Sequence, residues 1–375
     1  MPHKHDRLFD DIASFPALVK AARNAIKGKR RKPGAAAFMA NLEKEVVRLE
    51  RELLDGSYRP GRYKVIHVRD PKPRMVSAAP FRDRVVHHAL CAVVEPIFER
   101  GFIFDSYANR TGKGAHRAVD RYEAYADRFD HVLRCDIYRF FPAIDHDILK
   151  REFRRRVACV ATLTLLDRIV DASNDQEPVL QHFPGDDLLS PISRRRGLPI
   201  GNLTSQFFAN LYLNGLDHFC REILGARGYL RYVDDFVLFH DEREILYDWR
   251  ERIAGYLQGR RLRLHPRKTL IIDTGEPTSF LGYDLVDGLR RLPEANVSRF
   301  RARLRSMTDR CLAGSLELRE AQRCVDAWVG HASNADTWRL RQSIFRDGPL
   351  APKRKPVRLP VASVSCAAVP GTTIR

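Results

Sequence analysis

The stretch YLRYVDDFVLF, residues 229–239, places two adjacent acids, Asp234 and Asp235, between two apolar strand-like runs. Aspartate is depleted in strands, and burying a carboxylate costs free energy unless the group is paired or bound to a metal. One interpretation is a tight β-hairpin turn at these acids, satisfied by backbone N–H groups, although the pair lacks the glycine usual in such turns. The apolar flanks indicate that such a turn would lie at the edge of the core.

A third acid ends another strand-like run. The segment HVLRCDI, residues 131–137, is apolar and closes on Asp136. Three carboxylates that meet from two adjacent strands would suit a hard divalent cation such as Mg²⁺, which prefers oxygen ligands. Two such ions about 3.5–4 Å apart can support an in-line phosphoryl displacement. The pattern therefore favours a nucleotidyl transferase.

The charge balance points to a polyanionic partner. The chain has 375 residues with 65 Lys and Arg against 47 Asp and Glu, a formal net charge of +18, and includes the basic run KGKRRK at 27–32. A basic surface of this size favours nucleic acid, although a solvated basic face has the same composition. The seven cysteines lack metal spacing, and neither a signal peptide nor a membrane-spanning run is seen, so we expect a soluble cytoplasmic protein.

Periodicity and turn residues divide the chain into helical and strand-like segments. We expect helices at 8–56 and 81–102, a strand–turn–strand at 62–80, a strand ending at 136, a helix capped by Asp145, a polar loop at 172–195, a helix after GLPIGN, the hairpin, and helices from 286. The tail 347–375 contains five prolines and no periodicity, which predicts disorder.

Several short motifs occur in a fixed order. They are KPRMVSAAPFRDRVVHHAL (72–90), SYANRTGKGAHRAV (106–119), DIYRFF (136–141), GLPIGNLTSQ (197–206), YVDD (232–235), RKT (267–269) and FLGY (280–283). This ordered set resembles the motifs of the reverse transcriptases, and the two upstream motifs resemble the bacterial, group II intron-like lineage. Each motif alone is weak, whereas the ordered set is specific.

The resemblance implies an α+β right-hand polymerase fold, with fingers, a palm built on an antiparallel sheet, and a helical thumb. The expected ranges are an N-terminal helical basic region at 1–60, fingers at 61–130, the palm at 131–285, the thumb at 286–346 and a disordered basic tail at 347–375. Because only this short tail follows the expected thumb, we expect no RNase H or endonuclease domain.

The resemblance also implies a site for two Mg²⁺ ions. Asp136 and Asp234 are expected to be the main ligands, with the backbone of Ile137 contributing. Asp235 is expected to assist more weakly, since neighbouring residues on a strand point to opposite faces.

Ten further residues are candidate contacts to the nucleotide, template or primer. They are Lys72, Arg74, Arg110, Phe141, Ile200, Gly201, Asn202, Gln206, Tyr232 and Lys268. The resemblance places Phe141 under the incoming sugar as a steric gate against a 2′-hydroxyl, and gives Lys268 a role at the leaving pyrophosphate. The three other cations are candidate phosphate ligands, because Arg can bind phosphate in a bidentate manner. Each of these residues could instead be an ordinary core or surface residue.

The loop at 197–206 narrows the resemblance. Most relatives have Gln before the glycine and Ser-Pro after it, whereas this chain has Ile200 and the pattern I-G-N-x-x-S-Q. That pattern is similar to the reverse transcriptases of diversity-generating retroelements, which copy a template-repeat RNA with errors at adenines. It implies template RNA, an RNA/cDNA duplex, dNTPs and a small basic multimeric accessory variability protein as partners, in a prokaryotic cell or encoded by a phage. Another bacterial reverse transcriptase (group II intron, retron or phage-defence type) and a non-catalytic RNA-binding protein on the same scaffold remain as alternatives.

Overall fold

The computed structural model describes residues 4–68, 74–174, 176–177, 179–286 and 288–346. The chain divides into two compact units, with the boundary between Glu276 and Pro277. Each unit is described separately. The predicted disordered tail lies outside the described residues, and the finger, palm and thumb ranges remain predictions.

In the first unit, helices surround a four-stranded sheet. Its elements are α1 Phe9–Ala13, α2 Phe15–Ala25, α3 Pro33–Ala40, α4 Leu42–Leu54, β1 Lys64–Val68, β2 Arg74–Ala78, α5 Phe81–Glu99, α6 Ala115–Ala126, β3 His131–Asp136, α7 Phe140–Ala143, α8 His146–Arg154, α9 Val160–Asp171, α10 Ser190–Ser193, α11 Leu203–His218, a π-helical turn Phe219–Ile223, β4 Gly228–Tyr232, β5 Asp235–His240, α12 Arg243–Gly259 and β6 Leu270–Asp273.

The four-stranded sheet has the order β4-β5-β3-β6, and every pair in it is antiparallel. Strands β3, β4 and β5 are apolar and buried along most of their length, with Leu133, Leu230 and Phe236 in the core. Helices α5, α11 and α12 pack around this core. The α+β class with an antiparallel sheet is confirmed, and the sheet brings the carboxyl end of β3 beside the start of β5.

Local sequence signals explain several helix boundaries. Asp145 caps α8 as predicted, because its side chain accepts a hydrogen bond from the Ile148 N–H at 3.0 Å. The predicted helix after GLPIGN is α11, whose buried positions include Phe208, Leu211 and Tyr212. The two strands predicted within 62–80 are β1 and β2, which pair antiparallel, and the predicted turn between them lies outside the described residues.

The second unit combines a small sheet with helices. Its described elements are β7 Thr278–Phe280, β8 Tyr283–Val286, β9 Leu289–Arg291, α13 Glu294–Leu312, α14 Leu318–Ala332 and α15 Trp338–Phe345. Phe300 on α13 stacks on Trp328 of α14, with ring centroids 3.9 Å apart, at the centre of a small apolar cluster. The helical character predicted from residue 286 is confirmed for α13, α14 and α15, but it begins only at Glu294, because Leu289–Arg291 forms strand β9.

Within the described residues, no helix is both long and apolar enough to cross a membrane.

Candidate active site

The hairpin between β4 and β5 turns one residue earlier than the pair of acids suggested. Tyr232 pairs with Asp235, so the two turn residues are Val233 and Asp234, and Asp235 is already the first residue of β5. Val233 has φ +58°, which a two-residue hairpin turn requires at its first position. A β-branched residue rarely adopts this conformation, and such strain costs about 1–3 kcal/mol and concentrates at functional sites. The turn that presents Asp234 is therefore strained.

The three predicted carboxylates lie in one neighbourhood. Asp136, at the end of β3, is the register partner of Asp235 on β5. Burial raises the pKa of Asp234 to about 7, and the negative charges of Asp235 and Asp136 add to the effect, while Lys268 opposes it. Negative charge is thus concentrated at one end of the central strands β3 and β5, around the turn.

Lys268 contacts a carboxylate in this structure. Its Nζ donates a hydrogen bond to Oδ2 of Asp136 at 2.7 Å, and the Lys268 side chain is 50% exposed against 13% for Asp136. The backbone of the same segment is fixed to β3, because the His265 N–H donates to the Asp136 carbonyl at 2.7 Å. The predicted role of Lys268 at the pyrophosphate remains a prediction, and the structure places its ammonium next to the carboxylates.

The carboxylates do not form a finished metal cage. Among the described residues, no three His, Cys, Asp or Glu side chains are arranged to hold one ion. In this structure the Lys268 ammonium bonds to Asp136. The donors nevertheless fit Mg²⁺ chemically, because all are carboxylate oxygens and their mutual repulsion would be relieved by a divalent cation.

The loop that carries Ile200, Gly201 and Asn202 is fixed to strand β2. The Ile200 carbonyl accepts a hydrogen bond from the Ser77 N–H at 2.9 Å. Gly201 has φ +106°, and a Cβ there would lie 2.9 Å from Cγ1 of Val76, so this position requires glycine. Ile200 and Gln206 are half-buried on either side of this attachment.

Asn202 was predicted to contact the nucleotide, and the structure gives it another role. Its side chain is buried, with Nδ2 donating to the Ser77 carbonyl at 2.8 Å and Oδ1 accepting from the Ala79 N–H at 3.3 Å. An amide that bridges two backbone groups has little capacity left for a substrate. Asn202 therefore joins its loop to β2, and the prediction missed this because the partners are more than 120 residues away.

Replacing Asn202 with Ala should lower the free energy of unfolding by about 1–3 kcal/mol, since two buried backbone groups would lose their partner. Chemical denaturation measures the change. Asn41→Ala is the matched control, because the exposed Asn41 makes one bond, to the Ala37 carbonyl. Equal stability losses in the two variants would contradict the bridging role.

Arg110 is also used structurally. Its side chain is 8% exposed, with Nε bonded to Glu99 at 2.6 Å and Nη1 donating to the carbonyls of Ile103 and Ser106. A guanidinium held in this way has little surface left for a triphosphate, so the structure does not support the predicted phosphate contact. Sequence alone could not distinguish the two roles, because both require an arginine beside a loop.

The remaining candidates differ in how they are placed. Phe141 is half-buried on α7, with its ring centroid 5.5 Å from that of Phe140, and its carbonyl accepts from the Leu198 N–H at 2.9 Å. Tyr232 is half-buried at the end of β4, and Arg74 is exposed at the start of β2. Lys72 lies outside the described residues. The roles assigned to all four remain predictions.

The sequence reasoning overlooked Arg231. This arginine lies in β4 and forms a completely buried ion pair with Asp217 of α11, with Nη2 2.6 Å from Oδ2. An arginine in an apolar strand that precedes two acids is the signal that could have drawn attention to it, because a buried charge needs a buried partner.

Comparison with known proteins gives a consistent picture. The family model described as "Reverse transcriptase (RNA-dependent DNA polymerase)" matches residues 66–285. The chain is 26% identical over 337 residues to Protein YkfC of Escherichia coli, covering 78% of this chain and 86% of that protein. It is 20% identical over 306 residues to the putative COX1/OXI3 intron 1 protein of Saccharomyces cerevisiae, covering 66% of this chain and 35% of that protein.

Solved structures of apo telomerase from Candida tropicalis are also similar. One is 12% identical, has a TM-score of 0.46 and covers 71% of this chain. A form truncated at the C-terminal domain is 15% identical, has a TM-score of 0.44 and covers 60% of this chain. The chain spans about half the length of these telomerase chains, at 56% and 53%.

Proposed function

This chain belongs to the reverse transcriptase family of RNA-dependent DNA polymerases, and from that premise we propose that it serves a diversity-generating retroelement. In this role it copies a template-repeat RNA into cDNA with errors at adenines. The observation that carries the proposal is the loop I-G-N-x-x-S-Q, with Ile200 where most relatives have Gln. This loop is attached to β2 through Asn202 and Ile200. The backbone at residue 200 is therefore fixed, and a substitution there changes mainly the side chain.

The carboxylates carry the proposed chemistry. Members of the family use divalent metal ions, and Asp136 and Asp234 would hold two Mg²⁺, with Asp235 and the backbone of Ile137 assisting. When bound, these ions supply activation of the primer 3′-hydroxyl and stabilisation of the leaving pyrophosphate. The primer 3′-hydroxyl would lose its proton to solvent and its oxygen would bond to the α-phosphorus of the dNTP, while the bond from that phosphorus to the bridging oxygen breaks and pyrophosphate leaves.

The protein's own groups complete this reaction. Lys268 lies 2.7 Å from Asp136, where its ammonium offsets carboxylate repulsion in the absence of substrate and can turn to the pyrophosphate as a proton donor. The hairpin fixes Asp234 in a negatively charged environment that favours a bound cation. Phe141 is proposed to close the space beside the sugar that a 2′-hydroxyl would need.

Residue 200 is proposed to reduce fidelity. A Gln side chain can hydrogen-bond and help to position the templating base, whereas Ile cannot. Ile200→Gln should therefore lower the error frequency opposite template adenines several-fold and leave errors at other bases nearly unchanged. Sequencing cDNA made on a defined RNA template measures both, with Ile200→Leu as the control for altered shape. An unchanged adenine error frequency would refute this role of Ile200.

An intron-type reverse transcriptase is the alternative, supported by the similarity to the putative COX1/OXI3 intron 1 protein. The DNA next to the gene separates the two. Two near-identical repeats that differ only at adenine positions would support the retroelement, and their absence together with an intron RNA would support the alternative. A non-catalytic RNA-binding protein would make no cDNA at all.

The template RNA has a candidate contact surface in the first unit. Four arginines line a cavity of about 630 Å³ near the end of α4, namely Arg48, Arg51, Arg59 and Arg82, which we call the arginine cleft. Glu52 is paired with both Arg48 and Arg82, so one carboxylate is shared between two cations. With Asp55 also present, the cleft keeps an excess of positive charge that suits RNA phosphates.

Replacing Arg51 and Arg59 together with Gln should weaken RNA binding about tenfold and reduce the slope of log Kd against log salt by roughly 1.5, as expected for two lost single-strand phosphate contacts. Fluorescence anisotropy at several salt concentrations measures both. Arg227→Gln/Arg252→Gln, two exposed arginines elsewhere in the first unit, is the matched control. Identical behaviour of the two double variants would contradict RNA binding at the arginine cleft.

The accessory variability protein belongs to the same proposal. That partner is small, basic and multimeric, and this chain is basic as well, with a net charge of +18. Two basic proteins repel each other, so an RNA bound to both would offset the repulsion between their positive charges. We therefore expect the complex to require the template RNA.

A further inference from the structure

Every donor of the Arg231 guanidinium is used. Nε and Nη2 each donate to Asp217 at 2.6 Å, Nη2 also donates to Oγ of Ser106 at 3.2 Å, and Nη1 donates to Oδ1 of Asn210 at 3.3 Å and to the carbonyl of Val233 at 3.0 Å. The side chain is 1% exposed. Five N–H groups therefore meet five acceptors, an arrangement that Lys could not reproduce with three donors.

The acceptors are themselves held in place. Asp217 on α11 is completely buried and also accepts a hydrogen bond from the Tyr229 hydroxyl at 2.7 Å. Asn210, on the same face of α11, donates to the Ala108 carbonyl at 2.8 Å. The backbone of Arg231 is fixed as well, since its N–H donates to the Asp105 carbonyl at 2.9 Å. The guanidinium thus connects the hairpin to α11 and to the segment 105–108.

The bond to the Val233 carbonyl falls on the strained part of the turn. Val233 has φ +58°, and its carbonyl belongs to the peptide group that leads into Asp234. Fixing that carbonyl fixes the orientation of the peptide, and therefore the direction in which Asp234 leaves the turn. Without the bond, Val233 could relax towards a common backbone conformation and move Asp234 with it.

Stability alone is a poor explanation for this arrangement. Desolvating two charges offsets much of their attraction, so replacing a buried ion pair with packed apolar residues is often neutral or stabilising. An arginine that bonded only to Asp217 would fit a structural role. The additional bond to the backbone before Asp234 gives the pair a consequence for the site.

We propose that Arg231 is a positioning residue for Asp234, with Asp217 as the counter-charge that orients its guanidinium. The inference rests on the proposed function, because it takes Asp234 as a metal ligand. Arg231 does not touch the substrate in this proposal and acts only through the Val233 carbonyl.

The test removes the ion pair and the Tyr229 hydroxyl together, so that neither partner charge is left buried alone. The triple variant Arg231→Met/Asp217→Leu/Tyr229→Phe replaces all three polar groups with apolar ones. The control is Arg260→Met/Glu152→Leu, which removes another ion pair of the first unit, with Arg260 17% and Glu152 9% exposed. Relative to the control, we expect a similar melting temperature, a kcat about a hundredfold lower, as for a catalytic group displaced by about 1 Å, and an unchanged KM for the primer–template. The Mg²⁺ concentration for half-maximal activity should rise.

A second experiment relieves the backbone strain at Val233. Glycine adopts positive φ freely, so Val233→Gly should restore much of the lost kcat when added to the triple variant. If the triple variant does not fold, the effect of Arg231→Lys is measured with and without Val233→Gly, and the loss of kcat should be smaller when the turn carries glycine. Equal losses with and without the glycine, or a folded triple variant with the kcat and Mg²⁺ requirement of the control, would overturn the proposal.

A second readout separates failure of the proposed function from failure of the positioning role. If the wild type makes no cDNA, the proposed function fails and Arg231 is still tested by Mn²⁺ binding, followed by electron paramagnetic resonance. The triple variant should then bind Mn²⁺ more weakly than the control. Equal Mn²⁺ affinity would overturn the positioning role independently of catalysis.

Discussion

Asp234→Asn is expected to lower RNA-templated primer extension by about a thousandfold, corresponding to the loss of roughly 4 kcal/mol of transition-state stabilisation. Asn keeps the shape of Asp but removes the charge that a divalent cation needs. Single-nucleotide incorporation with Mg²⁺ and dNTPs measures the loss. Asp235→Asn should reduce the rate less, in keeping with its predicted assisting role.

The same variant should be at least as stable as the wild type, which separates lost chemistry from lost structure. The pKa of Asp234 is raised from 3.8 to about 7 in the folded protein. Because the folded state binds this proton more tightly than the unfolded chain, wild-type stability falls as the pH rises from about 4 to about 7. In metal-free buffer, the melting temperature of Asp234→Asn should exceed that of the wild type above pH 7 and match it below pH 4.

Asp248→Asn, on the exposed surface of α12, is the matched control and should change neither activity nor stability. Retention of more than a tenth of the wild-type rate by Asp234→Asn would remove this carboxylate from the catalytic role.

Phe141→Ala should reduce the preference for dNTPs over rNTPs by about ten- to a hundredfold, a change of roughly 1.4–2.8 kcal/mol. The ring is half-buried on α7, and the hydrogen bond from Leu198 to the Phe141 carbonyl fixes the backbone that carries it. Removing the ring would open space for a 2′-hydroxyl without adding a contact to the deoxy sugar. The ratio of kcat/KM for matched dNTP and rNTP pairs gives the preference directly.

Phe141→Tyr preserves the ring and should keep the preference, so it controls for general disturbance of α7. If Phe141→Ala and Phe141→Tyr discriminated equally well, Phe141 would be a packing residue, in line with its contact to Phe140.

The local sequence pattern was sufficient to predict the helices and strands and the proximity of the three acids. The apolar runs on both sides of Asp234 and Asp235 and the run that ends at Asp136 predicted three strands, and the structure pairs β3 with β5 at Asp136 and Asp235. The turn register was wrong by one residue, because the sequence offered no glycine to mark the position with positive φ and Val233 takes it under strain.

The contacts that determine the role of each residue could not be predicted from the local sequence, because they join residues far apart in the chain. Asn202 bonds to β2 across more than 120 positions, and the Arg231 guanidinium meets Ser106 across 125. Only the folded chain shows which polar groups are already satisfied, and that information separates a structural residue such as Arg110 from a residue free to bind substrate.

The central claim, RNA-templated DNA synthesis, is tested most directly by extending a labelled DNA primer annealed to RNA. The purified full chain is supplied with Mg²⁺ and dNTPs, and the product is sequenced. We predict a full-length complementary cDNA that requires Mg²⁺ and is absent with Asp234→Asn. A folded, RNA-binding wild type that adds no nucleotide under these conditions, alone or with its RNA partners, would contradict the account.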